Sequence, residues 1–117
     1  MLSPYTVLDL TDEKGELASM VLGDLGADVI KVEPLGGSPS RMMGPFMDGA
    51  PETERSLLYY AFNRNKRSVT LNLETEAGRK TLFALAEKSD FIIESARPGE
   101  MAGRGLGFEA MRQVNPR

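Results

Sequence analysis

Apolar and polar positions fall in blocks whose period changes along the chain. Thr6-Val7-Leu8-Asp9-Leu10 is a short, mostly apolar run and predicts a buried strand. A polar turn over Thr11-Asp12-Glu13-Lys14-Gly15 follows, with Thr11 or Asp12 placed to cap a helix. Leu17, Ala18, Val21, Leu22 and Leu25 then recur at helical spacing, and Gly26 suits a left-handed C-terminal cap. Val29-Ile30-Lys31-Val32-Glu33 predicts the next strand, stopped by Pro34, so the opening is a β-α-β unit with parallel strands. From Pro34 to Arg55 the rhythm breaks into Gly, Pro and Ser with Met42, Met43, Phe46 and Met47 among them. So long a loop inside a small domain is uncommon and tends to be functional or mobile, although its methionines can also just cover a core edge.

Regularity resumes with a short helix carrying Leu57, Leu58, Tyr60, Ala61 and Phe62, then a basic connection, Asn63-Arg64-Asn65-Lys66-Arg67. Ser68-Val69-Thr70-Leu71-Asn72 alternates as a strand. Thr75 can cap a helix running to about Lys88, with Ala77, Leu82, Leu85 and Ala86 on its buried face. Phe91-Ile92-Ile93-Glu94 predicts a fourth strand, Arg97-Pro98-Gly99 a turn, and Phe108 to Val114 a last helix. Alternating strands and helices imply an α/β fold, a parallel sheet covered on both faces.

Composition narrows the chemistry. The 117 residues carry 14 Lys plus Arg against 17 Asp plus Glu, a formal charge of −3, which argues against broad nucleic-acid binding. With neither Cys nor His, the chain cannot build a disulfide, a thiolate nucleophile, a Cys/His zinc site or an imidazole base. No metal is expected. The start, Met1-Leu2-Ser3-Pro4-Tyr5, lacks signal-peptide character, and no apolar run approaches the ~20 residues of a membrane span, so the expected location is cytoplasmic.

Ligands of open parallel sheets settle at the carboxyl ends of strands. Those ends are predicted at Asp9–Gly15, Glu33–Gly37, Leu71–Glu74 and Glu94–Gly99. The first turn lacks the glycines of a dinucleotide fingerprint, and its acids would repel a diphosphate. Glu33 imitates the ribose-binding acid of that fold or else simply caps a surface strand. Arg64-Asn65-Lys66-Arg67 could receive phosphate or be a solvated turn; Arg97 and Arg104, among Gly99, Gly103, Gly105 and Gly107, could form an anion site or sit in a glycine-rich linker.

Four spaced blocks carry a resemblance: Leu22 to Pro34 (LGDLGADVIKVEP), Asn63 to Ser68 (NRNKRS), Glu94 to Gly99 (ESARPG), and Gly105 to Glu109 (GLGFE) running into Asn115-Pro116-Arg117. Together they resemble the start of family III CoA-transferases, the group of formyl-CoA transferase, carnitine CoA-transferase and α-methylacyl-CoA racemase. The resemblance implies that residues 1–117 are an N-terminal Rossmann-like domain, the first part of a larger subunit interlocked with a partner, homodimeric or heteromeric. It implies coenzyme A as ligand, acyl-CoA and carboxylic acids as substrates, and transfer through an aspartyl-CoA intermediate. It puts the coenzyme contacts on Thr70, Leu71, Asn72 and Leu73, on Glu94, Ser95, Ala96 and Arg97, and on Arg104 near Gly103. The family's nucleophilic aspartate lies beyond its Asn-Pro-Arg segment, so none of the six aspartates here is expected to be catalytic. Asp12 to Leu17 departs from the family's small residues and Gly-Pro. That departure raises an alternative, a non-catalytic coenzyme-binding or assembly subunit of a heteromeric enzyme; an acyl-CoA racemase is another.

Overall fold

The computed structural model describes residues 1–117. Four parallel strands, β1 (Thr6–Leu10), β2 (Asp28–Glu33), β3 (Lys66–Thr70) and β4 (Phe91–Glu94), form one sheet in the order β3-β2-β1-β4. The helices are α1 (Glu16–Asp24), α2 (Leu57–Phe62), α3 (Glu76–Glu87), α4 (Glu100–Gly103) and α5 (Phe108–Val114). The α/β class expected from the pattern is the one observed, a Rossmann-like parallel sheet flanked by helices. None of these helices is long and apolar enough to cross a membrane.

The chain steps outward from β1 through β2 to β3, then returns to place β4 on the other side of β1. The order therefore reverses between β1 and β4, and a crevice opens beyond their carboxyl ends. One face of the sheet is apolar. Leu8 and Val32 pack there with Leu82 and Ala86 of α3, Met111 of α5 and Leu106, and Ile30, Val69 and Ile92 join them. Complete burial of a leucine such as Leu8 or Leu82 contributes about 1.5–3 kcal/mol.

The opposite face starts apolar, with Val7, Ala27 and Val29, and then turns charged toward the strand ends. Asp9, Glu16, Lys31 and Glu33 are all buried there. Lys31 Nζ stands 3.1 Å from Glu16 and 3.7 Å from Asp9, and Lys66 Nζ donates to Asp9 at 2.8 Å. Ser38, Ser40 and Asn63 complete the shell of Glu16. Every buried side-chain polar atom has a partner.

This charged face changes several expectations. Helix α1 buries Glu16, Ser19 and Met20, and its predicted apolar face is largely outward, with Leu17 54% and Val21 44% exposed. Neither Thr11 nor Asp12 caps it; Gly15 is the N-cap, while Thr11 and Ser19 hydrogen-bond to Asp9 instead. Gly26 does take the left-handed conformation, at φ +105°. β3 starts at Lys66, two residues earlier than the alternation suggests, because Lys66 and Ser68 point into polar partners. Thr75 caps α3 as expected, accepting from the Gly78 amide at 3.1 Å. Ala77 is exposed, and Gly78 takes the buried place against the Asn72 carbonyl, where an added Cβ would sit 1.9 Å from that oxygen.

Candidate functional site

The long stretch after β2 is anchored through two buried carboxylates, Glu16, which takes Ser38 and Ser40, and Glu33. Glu33 accepts from Arg41 Nε at 2.7 Å and Nη2 at 2.8 Å, from Tyr59 Oη at 2.6 Å, from Ser68 Oγ at 2.7 Å and from the Ser38 amide at 2.7 Å. The Arg41 guanidinium also lies 3.9 Å from the Tyr59 ring centroid. Burial opposes ionisation of Glu33, but the bonds from Arg41, Tyr59, Ser38 and Ser68 outweigh it and hold its carboxyl well below the ordinary range. Burial and the Glu33 bond push the Tyr59 hydroxyl upward. Asp9 behaves like Glu33: its burial is outweighed by Lys31 and by bonds from Lys66, Ser19 and Thr11, so it stays ionised.

Glu33 is thus neither a surface cap nor free to bind ribose. Its oxygens are filled by protein donors. The basic run after α2 is likewise committed: Lys66 to Asp9, Arg64 to Asp24 at 2.8 Å and Arg67 to Asp28. None of the three lines the crevice beyond the strand ends.

Beyond the strand ends lies a cleft of about 910 Å³. All four predicted strand-end segments reach it, through Leu10–Asp12 with Lys14, Glu33–Leu35, Leu71–Glu74 and Ser95–Pro98, and α4 adds Glu100 and Met101, with Arg104 just past its end. Of the residues singled out in the sequence, Leu71, Asn72, Leu73, Ser95, Ala96, Arg97 and Arg104 line it. Thr70 ends β3 outside the lining. Glu94 faces a smaller hollow beside α5, and its carboxylate accepts the Ala96 amide at 2.6 Å. Gly103 is exposed at the end of α4.

The cleft also contains groups the sequence reading did not single out as ligands: Asp12, Lys14, Glu74 and Glu100. Asp12 and Lys14 pair at 2.8 Å. Slight burial of Asp12 is outweighed by its bonds from Lys14 and Ser95, so its carboxyl is lowered, and the same contact raises Lys14. Glu16, another acid of the stretch that departs from the family pattern, turns into the protein toward Lys31 and does not line the cleft. The acids of the first turn therefore repel a ligand less than their number implies. Glu100 accepts the Arg97 amide at 3.0 Å, and Arg104 Nη2 lies 3.0 Å from Glu74. The Arg97 side chain forms no ion pair with any carboxylate.

The parallel sheet thus gathers strand-end backbone and two guanidinium groups around one switch-point crevice, the place where ligands of open α/β sheets settle. The chain belongs to CoA-transferase family III, which it matches over residues 2–117. It is 39% identical over 115 residues to the succinyl-CoA:(R)-benzylsuccinate CoA-transferase subunit BbsE of Thauera aromatica, covering 98% of this chain and 28% of that one. The human succinyl-CoA:glutarate CoA-transferase is 40% identical over 94% of this chain and 25% of its own. Among solved structures, Rv3272 of Mycobacterium tuberculosis superposes with a TM-score of 0.87 at 38% identity, over 99% of this chain and 31% of that one. A CaiB/BaiF family protein from Brucella suis gives 0.85 at 34% identity, over 96% and 30%. The chain thus spans less than a third of the length of these relatives.

Proposed function

We propose that the chain binds coenzyme A in the switch-point cleft, as the coenzyme-binding part of a protein that transfers coenzyme A between carboxylic acids. The observation behind this reading is convergence. Leu71–Leu73, Ser95–Arg97 and Arg104, far apart in sequence, line one cleft in a chain that matches the family throughout. In this reading backbone near Thr70–Leu73 receives the adenine, and Arg97 and Arg104 receive phosphate through charge-assisted bonds. Glu33 and Arg41 hold Pro34 to Pro39 as one wall. Asp12 is the only aspartate lining the cleft, and its oxygens are engaged by the Lys14 amide, Lys14 Nζ and Ser95 Oγ. A carboxylate so occupied is a poor nucleophile, which agrees with the family resemblance in giving Asp12 no part in attack on the thioester.

Isothermal titration of the full chain with coenzyme A tests the reading. Arg97→Ala and Arg104→Ala should each weaken binding by about 1–3 kcal/mol. Unchanged affinity in both moves the phosphates elsewhere, and equal binding of ATP or NAD replaces the reading with a general nucleotide-binding module.

A second reading, a coenzyme-binding subunit that works beside another chain of the family, draws on the 39% identical relative named as a subunit. Transfer activity that appears only when a second family member is present favours it.

A further inference from the structure

Three cations line the cleft, and the structure treats them differently. Lys14 is paired to Asp12 on its own turn. Arg97 has no carboxylate partner. Arg104 is engaged across the cleft by Glu74, Nη2 to Oε1 at 3.0 Å. The last pair is lopsided. Arg104 is 34% exposed at the end of α4, where its amide bonds to the Glu100 and Met101 carbonyls. The Glu74 side chain is 76% exposed. Its backbone is fixed by a bond from its own amide to Asn72 Oδ1 at 3.1 Å, so only the side chain is free to swing.

We propose that Glu74 is a place-holder for phosphate: its carboxylate occupies the Arg104 guanidinium until an anionic ligand displaces it, and it thereby sets the affinity of the cleft. This inference rests on the coenzyme A reading. Departure of Glu74 into water costs little because its side chain is already mostly hydrated, and it leaves the less exposed Arg104 guanidinium, on the cleft wall, without a partner. The competition reduces apparent affinity by the fraction of time that Arg104 is free. For an exposed pair of ordinary strength, that reduction is about two- to sixfold. Glu74 is then an affinity-setting residue: every ligand that needs the Arg104 guanidinium meets the same reduction, and one that leaves Arg104 to Glu74 meets none.

The test is titration of coenzyme A into the full chain carrying Glu74→Gln, Glu74→Ala or Glu52→Gln, each with and without Arg104→Ala. Glu52 pairs with Arg55 on the loop outside the cleft, so its variant controls for the loss of one negative charge. The expected result is binding about two- to sixfold tighter in both Glu74 variants, no gain in Glu52→Gln, and no gain from Glu74→Gln once Arg104 is absent. Glu74 variants that bind no tighter than Glu52→Gln overturn the inference and leave the coenzyme reading standing. A gain that persists without Arg104 also overturns it, because the effect then comes from net charge. Absence of binding in every protein, wild type included, removes the reading and the inference together.

Discussion

The two faces of the sheet solve the same packing problem with opposite chemistry. Against α3 and α5, strands and helices meet through Leu8, Val32, Leu82 and Ala86, and stability there follows buried area and shape. Against α1 and α2, the same strands present Asp9, Lys31, Glu33 and Lys66, satisfied by one another and by Ser19, Ser38, Tyr59 and Asn63. Charges out of water are costly, so such a layer is stable only with its full set of partners. The apolar face tolerates a changed volume by degrees, whereas the charged face responds to a missing partner all at once.

Removal of one charge should show this most strongly. Lys31→Met leaves Glu16 without its ion-pair partner and Asp9 with one cation of two, and should cost about 3–5 kcal/mol in urea unfolding. Combining it with Glu16→Gln should recover part of that loss; an additive double variant would mean the pair is not coupled. On the apolar face, Leu82→Ala should cost about 2–5 kcal/mol, toward the lower end if the flexible Met101 and Met111 relax into the space. Acid is a third probe. Glu33 and Asp9 are both lowered in the folded protein, whereas unfolded carboxyls titrate at about 4.3 and 3.9. The unfolded state then binds more protons, so their contribution is complete above those values and is lost as pH falls toward the folded ones. Unfolding midpoints should therefore drop between neutral pH and pH ~3 in wild type, and drop less in Glu33→Gln. The smallest effect is expected outside both layers. Val21→Gln, on the outward side of α1, should change stability by no more than about 0.5 kcal/mol.

The apolar face was readable in advance because hydrophobic spacing reports it directly: α3, β1, β2 and β4 fall close to where their periods put them. The charged face was not. Helical spacing of Leu17, Val21 and Leu25 pointed α1 the wrong way round, because pattern reading credits apolar residues with burial and cannot see that Glu16 meets Lys31, fifteen positions away. Lys66 looked like part of a solvated turn for the same reason; its partner Asp9 is fifty-seven residues distant. The position of the cleft was legible, since strand ends follow from topology. Its occupants were only partly so. The sequence marks Arg104 as a cation but not Glu74, thirty residues away, as its partner, and Thr70 and Glu94 fall outside the lining.

The join between β1 and β4 has a consequence of its own. Ser95 Oγ receives the Asp12 amide at 3.0 Å and returns a bond to Asp12 Oδ1 at 2.8 Å, a two-way clasp between segments more than eighty residues apart. Where the sheet splits its direction of travel, this serine is the rivet that keeps the floor of the crevice from parting. Ser95 also stands among the residues named for coenzyme contact. A guest that took its proton would loosen the seam beneath itself, whereas one donating to its remaining lone pair would leave both halves of the clasp whole.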